Sequence, residues 1–188
     1  MSTVPASAPI TLLTAEEFGN RPDPGYPEEL VRGRIVPMTS PNLRHGQVCG
    51  TAYFLIRQFV QARDLGHVLS NDSGVITQRN PDTVRGADVS YYSYARLPKG
   101  RLPQSYTSEL PELVVEVRSP SDRWRAVLEK VTEYLNAGVV VVVVLDPDAE
   151  TAHVYRDNQA PETLRAGDEL ALPEILGDFR VGIARFFE

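Results

Sequence analysis

Leu113-Val114-Val115-Glu116-Val117-Arg118-Ser119-Pro120-Ser121-Asp122 is the stretch that decides the fold class of this chain. Its first six residues, rich in branched apolar side chains, read as a strand. Ser119-Pro120-Ser121-Asp122 stops that strand and offers N-cap chemistry for a following helix. In the helix, Trp124, Val127, Leu128, Val131 and Leu135 recur as one apolar stripe, and Gly138 closes it. Val139 through Leu145 is almost uninterrupted valine, the pattern of a strand buried on both faces. The expectation is an α/β fold: a mixed sheet with helices on its faces.

Upstream, Thr14 caps a short helix, with Glu17 completing a capping box and Leu13 and Phe18 forming a hydrophobic staple. Glu29 to Met38 reads as two short strands turning near Arg32-Gly33, an additional N-terminal hairpin. Ser40-Pro41 signals the start of a long helix carrying Val48, Ala52, Leu55, Phe59 and Ala62, with Gly66 as its cap. His67 to Thr77 and Arg85 to Ser93 read as strands, the first interrupted at Asn71-Asp72-Ser73-Gly74. Tyr94 to Pro111 reads as a surface loop, and Ala152 to Tyr155 as a further strand after the Asp146-Pro147 turn. Residues 1–12 read as a flexible terminus and 13–188 as a single domain.

The chain has 188 residues, 42% of them hydrophobic and 23% charged, which excludes wholesale disorder and supports one core. One cysteine, Cys49, excludes an internal disulfide framework and points to a reducing compartment. With no apolar run long enough to span a membrane and no basic start typical of a secretory signal, a cytoplasmic location is expected. The net charge of −6 argues against coating of nucleic acid by counterion release, though not against an enzyme touching DNA locally. A homodimer is permitted but not required, since helices of the same chain can cover Val139–Leu145.

Glu116 is the anomaly. A carboxylate on a buried strand costs several kcal/mol unless it is paired, protonated or bound to a metal. Side-chain alternation places it on one face with Val114 and Arg118, near the strand end where α/β sheets build their sites. Asp88, within Ala87-Asp88-Val89-Ser90-Tyr91-Tyr92, lies on a second β-like run. Two hard oxygen donors with open positions suit Mg²⁺, or Mn²⁺ in its place. Such an ion polarises a phosphoryl oxygen and lowers the pKa of an attacking water. Lys130 falls at the border of the apolar stripe, where a long side chain reaches past a sheet edge with its stem packed. Only two residues in the chain are lysines, against 17 arginines, so a compact ammonium at this position stands out.

Asp88, then Glu116-Val117-Arg118-Ser119-Pro120-Ser121-Asp122, then Glu129-Lys130-Val131-Thr132-Glu133-Tyr134-Leu135-Asn136-Ala137-Gly138-Val139 resembles the restriction-endonuclease-like PD-(D/E)XK superfamily. Within it the chain is most similar to the bacterial Uma-type endonuclease branch, classed as a domain of unknown function. The likeness runs from about Thr14 to Phe187 and includes Glu29-Leu30-Val31-Arg32-Gly33 and the Pro41 to Gly46 segment. The resemblance implies a restriction-endonuclease-like core, a divalent ion held by Asp88 and Glu116, Lys130 in the lysine role, Glu29 as an accessory carboxylate and DNA as substrate. Two positions depart from the pattern. Ala87-Asp88 replaces Pro-Asp, and Arg118 occupies the lysine slot beside Glu116, where its pKa above ~12 makes it a poor proton carrier.

Plainer readings compete at each position. Glu116 with Arg118 fits an ion pair ending a strand, Asp88 a surface aspartate beside a turn, Lys130 a solvated helix lysine, and Glu29 an exposed residue near a hairpin. His45 fits an acid or a phosphate contact but reads as a helix-start polar residue outside the catalytic set, and Cys49 as a small hydrophobe; no His/Cys cluster argues for zinc. Asn71 to Gly74 reads as a turn or bulge, with Asp72 near enough to assist a metal if it meets Asp88 in space. At the level of function, a non-catalytic interaction module and a phosphodiesterase on small nucleotides stand beside the nuclease.

Overall fold

The computed structural model describes residues 11–188, so most of the expected flexible terminus, residues 1–10, lies outside the described residues. Helix α1 (Ala15–Gly19) begins with the expected capping box: Glu17 N–H donates to Thr14 Oγ1, and Thr14 N–H donates to Glu17 Oε2 at 2.8 Å. Strands β1 (Glu28–Val31) and β2 (Arg34–Pro37) pair through Arg32-Gly33, whose φ values of 51° and 73° are those a two-residue hairpin loop requires. Helix α2 (Leu43–Ala62) starts two residues later than Ser40-Pro41 suggested, on Asn42, whose side chain accepts the His45 N–H at 2.8 Å.

Gly66 does not cap α2; it opens strand β3 (Gly66–Gln78). A Cβ there would meet the Tyr92 carbonyl oxygen at 2.1 Å, so close strand pairing, not helix termination, requires the glycine. β3 pairs with β4 (Thr83–Ser93) across a register shift between Ser70 and Ser73, where Asn71 and Asp72 take positive φ. The interruption read in the sequence is this β-bulge.

Strand β5 (Leu113–Val117) leads to helix α3 (Trp124–Ala137) and strand β6 (Val141–Asp146). β5 and β6 pair in parallel, and α3 is the crossover that parallel pairing demands. Gly138 ends α3 at φ 114°, a left-handed cap open to glycine at low cost. Two expectations for α3 fail. Its N-cap is Arg123 without a side-chain bond, because the Asp122 carboxylate accepts the Ser119 N–H at 2.9 Å inside the preceding turn. Leu128 is 42% exposed, while Tyr134 is fully buried beside Val127 and Val131. The buried face is thus turned by roughly 30° on the helical wheel toward Lys130.

β7 (Thr151–Arg156), β8 (Glu162–Leu164), β9 (Glu169–Ala171), helix α4 (Pro173–Leu176), β10 (Arg180–Gly182) and a short 3₁₀ turn complete the chain. One eight-stranded sheet runs β2-β1-β4-β5-β6-β7-β8, with β3 on β4; β9 and β10 form a separate ribbon. All pairings except β5–β6 are antiparallel. The architecture is a mixed α/β sheet flanked by helices.

Alternation along β5 and β6 builds two core layers. Val115, Val117, Val143 and Leu145 pack with Val48, Ala52 and Ile56 of α2 and with the C-terminal segment. Val114, Val142 and Val144 pack with Val127, Val131 and Tyr134 of α3. Every residue of β6 is buried, as its valine run required.

Candidate active site

β4 and β5 pair at Val89–Val115, Ser90–Val114 and Tyr91–Leu113. Continued by one residue, that register sets Asp88 opposite Glu116. The backbone ladder ends there instead. Asp88 Oδ2 accepts the Val117 N–H at 2.7 Å, so a side chain takes the place of the next ladder bond. The strands part at this point, leaving a cavity of about 310 Å³ lined by Asp88, Glu116, Lys130, Glu29, Asp72 and His45, among others.

Glu116 is 9% exposed. Tyr134 donates its hydroxyl to Oε1 at 2.8 Å, and Lys130 Nζ lies 3.7 Å from Oε2. Burial pushes the Glu116 carboxyl up to about 7, and neighbouring Asp88 adds to the rise; Lys130 and the Tyr134 hydroxyl hold it back. Glu29 is a buried residue, not the exposed one that a hairpin position suggests. Its Oε1 lies 2.9 Å from Lys130 Nζ and its Oε2 accepts from Arg85 at 2.7 Å. Burial raises the Glu29 carboxyl, but Lys130 and Arg85 outweigh it and hold the group below the ordinary range.

Arg85 in turn donates to Glu133 of α3 at 2.6 and 3.0 Å. Carboxylate and cation therefore alternate from Glu133 through Arg85, Glu29 and Lys130 to Glu116. The chain of pairs fixes the ammonium at the mouth of the carboxylate pocket. Burial lowers the Lys130 pKa, yet Glu116 and Glu29 outweigh it and raise the group above its ordinary value. Lys130 is a fixed cation.

Arg118 is turned away from this network. Its guanidinium reaches Asp146 at 3.1 Å and Asp148 at 2.7 Å, with its centre 5.6 Å from the Trp124 ring centroid. The ion pair between Glu116 and Arg118 is absent. The end of β6 supplies Asp146 on the adjacent strand, a partner invisible from the local sequence.

On the α2 side of Asp88, His45 Nε2 lies 3.5 Å from Oδ2. Burial lowers the His45 pKa, but Asp88 outweighs it and leaves the ring above its ordinary value. Cys49, one helical turn further, has its sulfur 3.4 Å from His45 Nδ1 and is half-buried, not simply a core hydrophobe. Asp72 reaches the same cavity from the β3 bulge, and burial with Asp88 nearby raises its carboxyl. Arg85 and Tyr134 escaped sequence reasoning, and His45 and Cys49 were set aside by it. The i, i+4 spacing of His45 and Cys49 on a helix was the one available signal.

The donor set suits a hard divalent cation. Two carboxylates with unspent oxygens, Asp88 and Glu116, face one cavity, and burial together with the Asp88 charge raises both Glu116 and Asp72, Lys130 offsetting only part of the rise.

A solved structure described as a putative nuclease belonging to DUF820 from Anabaena variabilis is similar to this chain with a TM-score of 0.81. The two are 20% identical, the similarity covers 93% of this chain and 97% of that one, and it speaks to the fold. No curated protein matches the chain. The family model Uma2, described as "Putative restriction endonuclease", matches residues 15–184. With the sheet, the flanking helices and that near-complete match together, the chain belongs to the Uma2 family of restriction-endonuclease-like proteins.

Proposed function

We propose that this protein is a metal-dependent nuclease that hydrolyses DNA phosphodiester bonds, with Asp88 and Glu116 as ligands of Mg²⁺. Family membership supports a nuclease-type activity. The observation that carries the finer reading is the lining of one cavity by Asp88, Glu116, Lys130 and Glu29, contributed by four different elements.

When bound, Mg²⁺ supplies a Lewis acid for the phosphoryl oxygen and acidifies a water. The residues of the chain do the rest. Asp88 is held in place by the Val117 N–H and Glu116 by the Tyr134 hydroxyl, so both present a second oxygen without losing orientation. Lys130, kept protonated, steadies charge that develops on the phosphorane and orients water through its N–H groups. It does not act as a base. Glu29 is a positioning residue: it holds Lys130 at 2.9 Å and touches no reacting atom.

The net charge of −6 favours a second reading, in which the substrate is a short strand or small nucleotide phosphodiester. Cleavage of duplex DNA, single-stranded DNA and a dinucleotide with Mg²⁺ or Mn²⁺ separates the two. Asp88→Asn and Glu116→Gln are expected to lose at least ~100-fold in rate on the substrate that is cut. Equal activity in both variants and the parent refutes the reading, and no Mn²⁺ binding by calorimetry at millimolar concentration favours a non-catalytic module.

A further inference from the structure

The geometry points to a second, softer cation site on the α2 side of Asp88, in which His45, Cys49 and Asp88 bind a transition-metal ion such as Zn²⁺ and so withdraw Asp88 from the Mg²⁺ pair. The first half of this inference stands on its own; the second half rests on the nuclease reading.

His45 and Cys49 lie four residues apart on α2, which stacks them on one helix face. One nitrogen of His45, the cysteine sulfur and one Asp88 carboxylate oxygen all lie within 4.8 Å of one another. His45 Nε2 is 3.5 Å from Asp88 Oδ2 and 4.0 Å from Cys49 Sγ. In a tetrahedral zinc site, bond lengths near 2.0–2.1 Å to nitrogen and oxygen and 2.3 Å to sulfur place ligand atoms about 3.4 Å (N to O) and about 3.6 Å (N to S) apart. The two spacings that involve His45 lie within about half an ångström of those values.

All three also line a second cavity of about 270 Å³, together with Tyr53, Ser70 and Asn71. That volume leaves space for the fourth, exchangeable ligand that separates an open zinc site from a structural one. The chemistry selects the ion. An imidazole, a thiolate and a single carboxylate suit Zn²⁺ or Co²⁺ and give Mg²⁺ no advantage, whereas the paired carboxylates across Asp88 do the reverse. In the free protein Cys49 is a thiol, its proton held on by burial and by Asp88; ligation releases that proton to solvent and leaves the sulfur bound as thiolate. Because Asp88 belongs to both donor sets, an ion on the soft side draws its carboxylate toward α2.

Cobalt titration of the metal-free full chain tests this. Cys49 is the only cysteine, so a sulfur-to-cobalt charge-transfer band reports that residue alone. One equivalent of Co²⁺ is expected to raise the band in the parent protein. In Cys49→Ser the band should vanish and the cobalt affinity fall at least ~10-fold, with His45→Gln weakening affinity comparably. In Mg²⁺-driven cleavage, inhibition of Cys49→Ser should need at least ~10-fold more Zn²⁺ than inhibition of the parent. A thiolate band lost in Cys49→Ser, in a protein inactive on every substrate, upholds the site and removes the nuclease reading instead. No band at millimolar Co²⁺, or cobalt affinity unchanged in His45→Gln, overturns the proposal, the three groups then being only a hydrogen-bonded chain.

Discussion

Replacing Glu116 by Gln in the metal-free protein should remove most of a pH dependence of stability that the parent shows. The Glu116 carboxyl is raised from its ordinary 4.5 to about 7 by burial and by Asp88. A carboxyl with a raised folded-state pKa keeps its proton in the native state after the unfolded chain has lost it. Its stabilising effect is complete below about pH 4.5 and is lost as pH rises through about 7. At 1.36 kcal/mol per unit the whole loss is about 3 kcal/mol, of which about 2 to 3 kcal/mol falls between pH 5 and pH 8. His45, raised by Asp88, loses its contribution in the same direction, but it is common to both proteins and largely cancels in their difference. Urea unfolding in the presence of a chelator, at a series of pH values from 5 to 8, gives both curves. The parent should lose about 2 to 3 kcal/mol more than the variant across that range. Parallel curves would show that the carboxylate is already ionised in the cavity, and that burial does not dominate at Glu116.

Mg²⁺ or Mn²⁺ should reverse that loss, raising the melting temperature of the parent more at pH 8 than at pH 5 and doing little for Asp88→Asn; equal shifts in both proteins would place the ion elsewhere. Tyr134→Phe removes the 2.8 Å hydroxyl bond to Glu116, and should cost about 1 to 3 kcal/mol while moving the Glu116 transition to higher pH; a transition that stays put would refute the assigned bond. Lys130→Met leaves Glu29 and Glu116 facing each other with one cation fewer, at an expected cost of about 3 kcal/mol by urea melts and the loss of cleavage. Arg118→Ala should keep metal-dependent cleavage within about threefold, because the guanidinium serves Asp146 and Asp148; a collapse of activity there would move the lysine role to Arg118.

Much of the architecture was legible because it follows from local physical chemistry. The Val139–Leu145 run marked a doubly buried strand, which forms over Val141–Asp146, and Thr14 with Glu17 could hardly avoid forming a capping box. Arg32-Gly33 announced a tight hairpin, and the polar break at Asn71 to Gly74 a bulge. Errors arose where a residue's job was set by a distant partner. Gly66 resembles a helix cap until the Tyr92 carbonyl is seen against it. Leu128 belongs to the apolar stripe read from the sequence and Tyr134 does not, yet it is Tyr134, bonded to Glu116, that is buried.

The sequence by itself determined that carboxylates would stand on apolar strands, since residue type and alternation are local properties carried along the chain. It determined the helix-border place of Lys130 for the same reason. Which group each of them meets was decided only by the tertiary structure. Arg118 sits two residues from Glu116, yet its guanidinium binds Asp146 on the parallel neighbour, while Lys130, 14 residues beyond, shares the Glu116 pocket. His45 and Cys49, far from Asp88 in sequence, reach it because α2 packs across the sheet at the point where β4 and β5 separate. Ion pairs and coordination fall off within a few ångströms, and distances that short between remote residues are created by packing.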